Sequence, residues 1–552
     1  MKIDPADLNI IGTTLSSIAA EMGDVIQRAA YSTIVREARD YSTCITDAQG
    51  RMVAQSELIA VHMNSLAAAM DHARRKYDFS TLVPGEALIT NNPYENGQHL
   101  NDVIIVLPVF HEERLAAFVG VICHHLELGG SVAGSNVHAT ELYHEGLILP
   151  TMRVGLKRDL QGGPIEQILS ANVRIPQIVI GDFRAQVSAL ERGEVLVQAL
   201  LHRHGMALVE AAMAQWQDYA EQLMRSVIRS IPDGDYRGED TFDGRGLDDP
   251  LVTVRARVTI AGDDAIVDLS ESDDQVTWPV NAPIASTHSA VLTLFGALLG
   301  PGFPTNDGTY RPVRIVTRKG SVVDPHHPAP VRGRMTSIYR VFTAVKRALG
   351  TAIPERLSAA GNDSANLVTF SVRGDDGYRM FTETVAGGNG ASQHDDGAEA
   401  VAQALTNTAN TPIEEIEMNY PFIRILSYGL LPDSGGAGAR RGGLGIRREY
   451  EVLRDGTLLS TNGDRHCSRP WGLAGGGEAR PSSLAVWRDG VEMPIPAASN
   501  TSLRRGDRVV LTLSGGGGYG DPKQRGRDQV RADLRSGRIS REAARSLYGL
   551  ED

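Results

Sequence analysis

The chain has 552 residues, of which 42% are apolar and 22% are charged, and its formal net charge is −12. This length exceeds what one hydrophobic core usually serves, so we expect a globular protein of two or more domains. The acidic balance argues against a nucleic-acid partner, because binding to phosphates requires a surplus of Lys and Arg.

Hydrophobic periodicity predicts a long first helix. Asp4 is placed to cap it, and Pro5 suits its first turn. Apolar residues recur at intervals of three and four and give one buried face: Leu8, Ile11, Leu15, Ile18, Met22, Ile26 and Ala29. Next, YSTCITDAQGRMVAQS alternates about a DAQG turn and predicts a β-hairpin. Asn64 is placed to cap a second helix over NSLAAAMDHARRKYD.

The remaining sequence predicts blocks of strands and helices. Residues 86–150 predict short strands, and 173–231 predict helices. Gly and Asp crowd at 232–250, where periodicity is lost, which predicts a domain boundary. Beyond it, VTVRARVTIAGDDAIVDLS predicts a hairpin and THSAVLTLFGALLG a buried helix. A glycine-rich, strand-like region follows at 360–520, and DPKQRGRDQVRADLRSGRISREAARSLYGL predicts two short charged helices.

Strands and helices that occur in blocks, without regular βαβ alternation, indicate an α+β fold. We therefore predict a multi-domain chain. Its parts are an N-terminal helical and strand-rich region with the candidate metal site (1–235), a glycine-rich, β-rich C-terminal region (246–522) and a charged helical tail (523–552).

The stretch NNPYENGQHLNDVIIVLPVF sets a polar turn directly before an apolar strand. His99 and Asp102 stand at this junction, and Gly97 would allow a tight turn that joins them, since glycine tolerates a positive φ. The chain between Asp102 and His124 is about long enough for the two strands of a β-hairpin, which would bring His124 back to the end of the hairpin where Asp102 lies. Two imidazoles and a carboxylate with open positions are what a zinc or manganese ion uses to activate a bound water. Asp40, in REARDYST, could add a second carboxylate.

A structural role is the alternative for these residues, and spacing alone favours it. HxxD occurs often by chance, and a core histidine such as His124 can simply bond a backbone carbonyl. A rival cluster in NVHATELYHEGL matches no helical zinc motif such as HExxH. It consists of His138, Glu141, His144 and Glu145. An ordinary solvated turn is its structural interpretation; support of the metal ligands by His138, Glu141 and Glu145 is the functional one.

Two neighbouring residues have both a structural and a functional interpretation. His62, in AVHMNSL, is either structural or faces the same pocket as the candidate ligands. Cys123 lies beside His124, which suggests a nucleophilic thiol. Neighbours along a strand point to opposite faces, however, so that histidine could not easily activate it, and we expect a small buried apolar residue there. No GxSxG elbow supports a serine hydrolase.

Glycine clusters occur at 386–392, 434–445 and 514–520. None contains GxxxxGK[ST], the loop that wraps phosphates. We expect tight turns and bulges there, with Arg440 and Arg441 available to clamp an anion. A nucleotide, if the reaction uses one, is expected to bind elsewhere.

Cysteine content and the N-terminal sequence predict a cytoplasmic protein. Cys44, Cys123 and Cys467 are odd in number and far apart, unlike a secreted disulfide framework. MKIDPADLNIIG lacks the pattern of a signal peptide. The longest helical-looking apolar run, AVLTLFGALLG, is too short to cross a bilayer, so no membrane partner is expected.

Several segments together resemble the hydantoinase B / 5-oxoprolinase family. They cover essentially the whole chain in the family's order: NNPYENGQHLNDVIIVLPVF, HH followed by GG, GSNVHATELYHEGLILP, TETVAGGNGAS, TNTANTPIEEIE, PDSGGAGARRGGLG and SGGGGYGDP. Two segments depart from the family pattern, since AVHMNSL replaces an HLGSM-like segment and NGQHLND replaces GGTHLPD.

The resemblance implies an ATP-dependent enzyme built from two kinds of subunit. A larger hydantoinase A-type partner, of actin-like fold, binds ATP, and together the subunits open hydantoins, 5-oxoproline or lactams. The family's metal ligands fall here on His99, Asp102 and His124, and the aspartate of its RDYS element is Asp40. Acetone and acetophenone carboxylases share the subunit plan.

The resulting hypothesis is a hydrolytic subunit in which a metal-bound water attacks a lactam that the partner has phosphorylated. Two alternatives stay open. One is a subunit of an ATP-dependent ketone carboxylase, in which the metal would hold an enolate-type intermediate. The other is a non-catalytic scaffold for the partner, against which the intact set of candidate ligands argues.

Overall fold

The N-terminal part of the protein, seen in a computed structural model, is a β-sheet with helices on both faces. The structure describes residues 3–56, 59–62, 65–133, 136–246, 248–300, 302–374, 377–401, 404–406 and 410–550. The strands are β1 (Tyr41–Asp47), β2 (Met52–Gln55), β3 (Glu86–Thr90), β4 (Asp102–His111), β5 (Arg114–His124) and β6 (Met152–Gly155), in the spatial order β2-β1-β5-β4-β3-β6. The helices are α1 (Pro5–Ala29), α2 (Thr33–Arg36), α3 (Ser65–Lys76), α4 (Leu156–Leu160), α5 (Pro164–Asn172), α6 (Pro176–His204) and α7 (Met206–Arg229).

Helix α1 begins where its sequence predicts. The Asp4 carboxylate accepts a hydrogen bond from Ala6 N at 2.8 Å and so caps the first turn. The predicted apolar face is buried from Ile11 to Ile26, but Ala29 is exposed and Ala30 is buried in its place, because the helix ends there. The predicted cap of α3, Asn64, lies outside the described residues.

A second sheet and its helices pack against the first. Its strands are β7 (Gly234–Phe242), β8 (Val252–Ala261), β9 (Asp264–Asp268) and β10 (Val313–Val316), in the order β10-β9-β8-β7. Three helices accompany them: α8 (Ile284–Leu299), α9 (Asp307–Tyr310) and α10 (Met335–Leu349). Strand β7 occupies much of 232–250, so the loss of periodicity there does not mark an irregular linker. The three-part division of the chain remains a prediction.

The C-terminal part consists of two facing sheets and a helical tail. Strands β11 (Leu367–Gly374), β12 (Gly377–Thr384), β15 (Thr457–Asn462) and β18 (Ala498–Leu503) form one sheet. Strands β13 (Ile423–Leu430), β14 (Ile446–Val452), β16 (Ser483–Arg488), β17 (Val491–Pro494) and β19 (Arg508–Thr512) form the other. Helix α11 (Ile413–Asn419) precedes β13, and α12 (Arg527–Arg535) and α13 (Arg541–Ser546) form the predicted tail.

Strand β4 reads as a continuous apolar run because both of its faces are buried. Val103 and Ile105 pack into the core shared with α1 and α6. Ile104 and Val106 face the opposite way, into the core shared with α3, α8 and the second sheet. Asp102 has the parity of Ile104, so its side chain lies on the side of the second sheet.

The glycine segment 514–518 runs through a bundle of extended chains, so the predicted tight turn is wrong for this segment. Its amides donate to carbonyls of three other segments: Gly515 and Gly516 to Ser434 and Gly443 of the 434–445 cluster, Gly517 to Ala360 and Gly518 to Gly477. A Cβ on Gly516 would lie 2.0 Å from the carbonyl oxygen of Asn389. Glycine is therefore needed here for close backbone approach.

Candidate metal centre

The β4–β5 hairpin brings the predicted residues to one corner. Asp102 opens β4 and stands opposite His124, which closes β5, in the antiparallel register. His99 lies one turn earlier, with Nε2 3.2 Å from Asp102 Oδ2 and its ring centroid 4.9 Å from that of His124. One potential ligand atom from each of the three residues lies within 4.8 Å of the others.

The turn before β4 folds as a capped, compact loop. Asn92 accepts a hydrogen bond from Tyr94 N at 3.0 Å, and Asn96 takes the left-handed conformation with φ of 66°. Gly97 does not have the positive φ that the sequence suggests. A Cβ on Gly97 would lie 2.7 Å from Asn92 O, so glycine is needed for close approach.

Asp40 and His62 line the same cavity as the three-residue group. His62 Nε2 lies 3.8 Å from Asp40 Oδ1 and 3.9 Å from Asp102 Oδ2, and its Nδ1 is 3.2 Å from the hydroxyl of Ser42. His62 thus stands between the two carboxylates. Asp40 lies outside the three-residue group, immediately before β1, whose first residue pairs with β5.

Polar atoms without partners show that this corner fits a cation. Both ring nitrogens of His99, Nδ1 of His124 and Oδ1 of Asp102 are buried and make no hydrogen bond among the described residues. Leaving such atoms unpaired is costly, and ligation would satisfy them. Neutral imidazoles and ionised carboxylates are also the forms that bind metals.

Burial determines much of the electrostatics of the cavity. It lowers the pKa of both His62 and His99 to about 4, so these imidazoles are neutral at pH 7. Burial, with help from the charge of Asp102, raises the pKa of Asp40 to about 8. Burial opposes ionisation of Asp102 too, but His99 and the Arg334 guanidinium outweigh it and hold that pKa well below its usual range.

Arg334, which sequence reasoning missed, pairs with a candidate ligand. Its Nη2 donates to Asp102 Oδ2 at 2.6 Å, and its Nε donates to Gln98 Oε1 at 3.2 Å. The Gln98 amide in turn donates to the Ser65 hydroxyl and, at 3.3 Å, to that of Ser289. This buried network fixes one oxygen of Asp102.

The predicted rival cluster separates in the structure. Glu145 is buried, and its Oε1 accepts hydrogen bonds from the amides of Val331 and Arg332 at 2.8 and 2.9 Å. His138 and Glu141 are exposed, and His138 Nδ1 lies 2.7 Å from Nη2 of Arg245. Glu145 therefore anchors the segment that carries the two arginines, whereas His138 and Glu141 do not line the cavity.

Other candidates have structural partners. His125 points away from the cavity, with Nε2 2.8 Å from Gln186 Oε1. Cys123 is buried in the core beneath α1 and α6, and burial raises its pKa well above the usual value. Arg441 is already engaged, since it donates to Glu399 at 2.8 Å and to Gly442 O at 2.6 Å.

A larger groove, of about 1150 Å³, lies beside α1 and α7. Trp216, Phe303 and Tyr41 contribute to its lining, but the three-residue group does not. Convergent polar groups, and not size, therefore identify the candidate site.

Comparison with known proteins identifies the family. The hydantoinase B/oxoprolinase family model matches residues 4–522. The chain belongs to the hydantoinase B/oxoprolinase family. This confirms the family indicated by the sequence motifs.

Members of the hydantoinase B/oxoprolinase family and solved structures resemble this chain along its length. Caprolactamase subunit beta from Pseudomonas jessenii is 32% identical, over 99% of this chain and 96% of its own length. The crystal structure of ATP-dependent caprolactamase from the same organism matches with a TM-score of 0.92 at 30% identity, covering 100% of this chain and 97% of that one. A nucleotide-free acetone carboxylase structure has a TM-score of 0.91 at 18% identity, over 99% and 80% of the two chains, which is a likeness of fold.

These likenesses confirm the α+β, multi-domain fold class. No helix in the described residues has the length and apolar content needed to cross a membrane.

Proposed function

We propose that this chain is the ring-opening subunit of an ATP-dependent cyclic-amide hydrolase that works with a hydantoinase A-type, ATP-binding subunit. The observation that carries the proposal is the group of His99, Asp102 and His124 in a buried cavity. Similarity to a caprolactamase subunit over nearly the whole of both chains supports a cyclic amide as substrate.

Asp40, His99, Asp102 and His124 would hold a divalent cation, because mixed nitrogen and oxygen ligands suit zinc or manganese better than calcium or magnesium. Such a cation supplies a Lewis acid that lowers the pKa of a water molecule. The residues of this chain place the ligands: the hairpin register sets Asp102 opposite His124, and Arg334 holds the second oxygen of Asp102.

The reaction needs ATP because an amide in an unstrained ring resists water: attack on the ring carbon sacrifices amide resonance. In the proposed reaction the partner transfers the γ-phosphoryl group of ATP to the amide oxygen and releases ADP. A first water then adds to the ring carbon in the cavity, the C–N bond breaks, and the nitrogen takes up a proton, leaving an acyl phosphate. A second water cleaves the acyl phosphate to a carboxylic acid and inorganic phosphate.

Charges that line the cavity support an anionic intermediate. A divalent cation beside Asp40 would favour its ionised form, although burial raises its pKa to about 8 without one. Ionised Asp40 and Asp102 would then balance Arg332 and Arg334, and the low pKa of His99 leaves that imidazole neutral. A divalent cation would therefore give the cavity a formal charge of +2. The electrostatic field of such a cavity would stabilise an uncharged amide little and a phosphorylated, anionic one strongly.

A division of labour between subunits accounts for the missing phosphate loop. The chain contains no GxxxxGK[ST] segment, so we expect the isolated protein neither to bind ATP at micromolar concentration nor to hydrolyse it. We also expect a stable hetero-oligomer, because a reactive phosphorylated intermediate needs an enclosed path between the sites. Gel filtration of the mixed subunits and calorimetric titration with ATP test these two expectations.

Co-expression with an A-type subunit tests the proposed function. ADP release and ring opening are measured with hydantoins, 5-oxoproline and lactams, and a ketone with bicarbonate serves as the contrasting substrate. We expect ring opening that requires ATP, both subunits and intact His99. Carboxylation of the ketone without opening of any cyclic amide would refute the proposal, and so would full ring opening by the His99→Ala variant.

A further inference from the structure

Arg332 lines the candidate metal cavity and has spare hydrogen-bond donors. Among the described residues its side chain makes a single hydrogen bond, from Nη1 to the carbonyl oxygen of Glu145 at 3.4 Å. A guanidinium group has five N–H donors in a planar fork. Most of the Arg332 donors are therefore available to a ligand.

Arg334 has a different role, although only one residue separates the two arginines. Its donors are engaged by Asp102 at 2.6 Å and Gln98 at 3.2 Å, and its side chain is only 4% exposed. Arg334 thus neutralises a candidate ligand. The charge of Arg332 is not matched in this way.

The backbone around Arg332 is fixed while its side chain is lightly held. Glu145 Oε1 accepts hydrogen bonds from the amides of Val331 and Arg332, which anchors the segment. Arg332 lines the same cavity as His99 and His124. A ligand in this cavity would therefore have Arg332 and both histidines among its surroundings.

We propose that Arg332 binds the phosphoryl group of the reaction intermediate, and inorganic phosphate after hydrolysis, through paired N–H donors. The inference rests on the proposed function for the identity of the intermediate. Paired guanidinium donors match phosphate oxygens in geometry and charge. Arg332 would hold the intermediate beside His99 and His124 and keep it from escaping into water.

Inorganic phosphate is the probe for this site in the metal-loaded complex of both subunits. In Arg332→Met we expect inhibition by phosphate to weaken by about tenfold or more, as for loss of a charge-assisted pair. We also expect more ADP released than amide opened, because an intermediate that escapes loses its phosphate to water without ring opening. Arg311→Met, which removes a partly buried arginine paired with Asp218 and Glu221, should leave both measurements unchanged.

Unchanged phosphate inhibition and an unchanged ratio of ADP to product in metal-loaded Arg332→Met would overturn the assignment. If this variant loses metal by elemental analysis, Arg332→Gln takes its place and the same two measurements decide. If the wild-type complex opens no cyclic amide, the proposed function fails separately. Titration of phosphate into the metal-loaded wild-type and Arg332→Met chains then decides the role of Arg332, and equal affinities refute it.

Discussion

Alanine variants of His99 and His125 should separate metal binding from packing, because the two imidazoles differ in their surroundings. His99 faces the cavity, and neither of its nitrogens makes a hydrogen bond of proper geometry, although Nε2 lies 3.2 Å from Asp102 Oδ2. His125 lies on the other side, with Nε2 2.8 Å from Gln186 and its ring 4.6 Å from that of Phe183. We therefore expect His99 to contribute to metal affinity and His125 to the free energy of unfolding.

The contacts of each histidine set the expected magnitudes. His125→Ala leaves Gln186 Oε1 buried without a donor, at a cost of about 1–3 kcal/mol. Loss of the contact with Phe183 adds about 0.5–1.5 kcal/mol, so the total is about 1.5–4.5 kcal/mol. His99→Ala loses packing but also removes two buried, unpaired nitrogens, so without metal it should cost less than about 2 kcal/mol.

Elemental analysis and urea unfolding in chelator measure the two effects. His99→Ala should lose most of its metal, with a fall in affinity larger than the about 10–100-fold typical of residues that only support ligands. His125→Ala should keep its metal and unfold at lower urea. Full metal occupancy in His99→Ala, or a folded His125→Ala without metal, would refute this reasoning.

Substitutions of Arg334 and Glu145 test the surroundings of the site, and a substitution of Gly516 tests the glycine segment 514–518. Arg334→Met leaves Asp102 as an unpaired buried charge, so thermal unfolding should show a loss of about 3–5 kcal/mol in chelator and a smaller loss with metal; equal losses would contradict this. Glu145→Gln keeps an oxygen for two backbone amides and should retain wild-type stability in urea, whereas Glu145→Ala should lose about 2–3 kcal/mol. Gly516→Ala places a Cβ 2.0 Å from a carbonyl oxygen and should abolish the folded yield; Gly429→Ala, with nothing within 4 Å, is the matched control.

Local sequence patterns predicted that His99, Asp102 and His124 could meet at one corner, although spacing alone favoured a structural role for them. Two successive apolar segments predict the two strands of a β-hairpin, and the distance along the chain from Asp102 to His124 matches the length of that hairpin. The observed register pairs these two residues, and His99 follows because one tight turn connects it to the strand. The sequence also placed His62 as a candidate for the same pocket, which it lines.

Contacts between distant segments could not be predicted in this way. Arg334 is far from Asp102 along the chain, and nothing in VRGRM marks one arginine as a partner of a carboxylate and the other as unengaged. The tight turn predicted for the glycine segment 514–518 was wrong for the same reason. Its hydrogen bonds go to three other segments, and their convergence has no signature in the local pattern.

The size of the cavity adds a constraint on how substrate reaches it. Its volume is about 60 Å³, far below the about 300–1,000 Å³ usual for small-molecule pockets. A phosphorylated cyclic amide therefore enters only if part of the wall moves. Arg334 is held at 2.6 Å by Asp102, whereas the Arg332 side chain has one bond of 3.4 Å on a backbone anchored by Glu145. Arg332 is therefore the lining residue that we expect to move on entry, and its proposed contact with the phosphoryl group would hold it once substrate is bound.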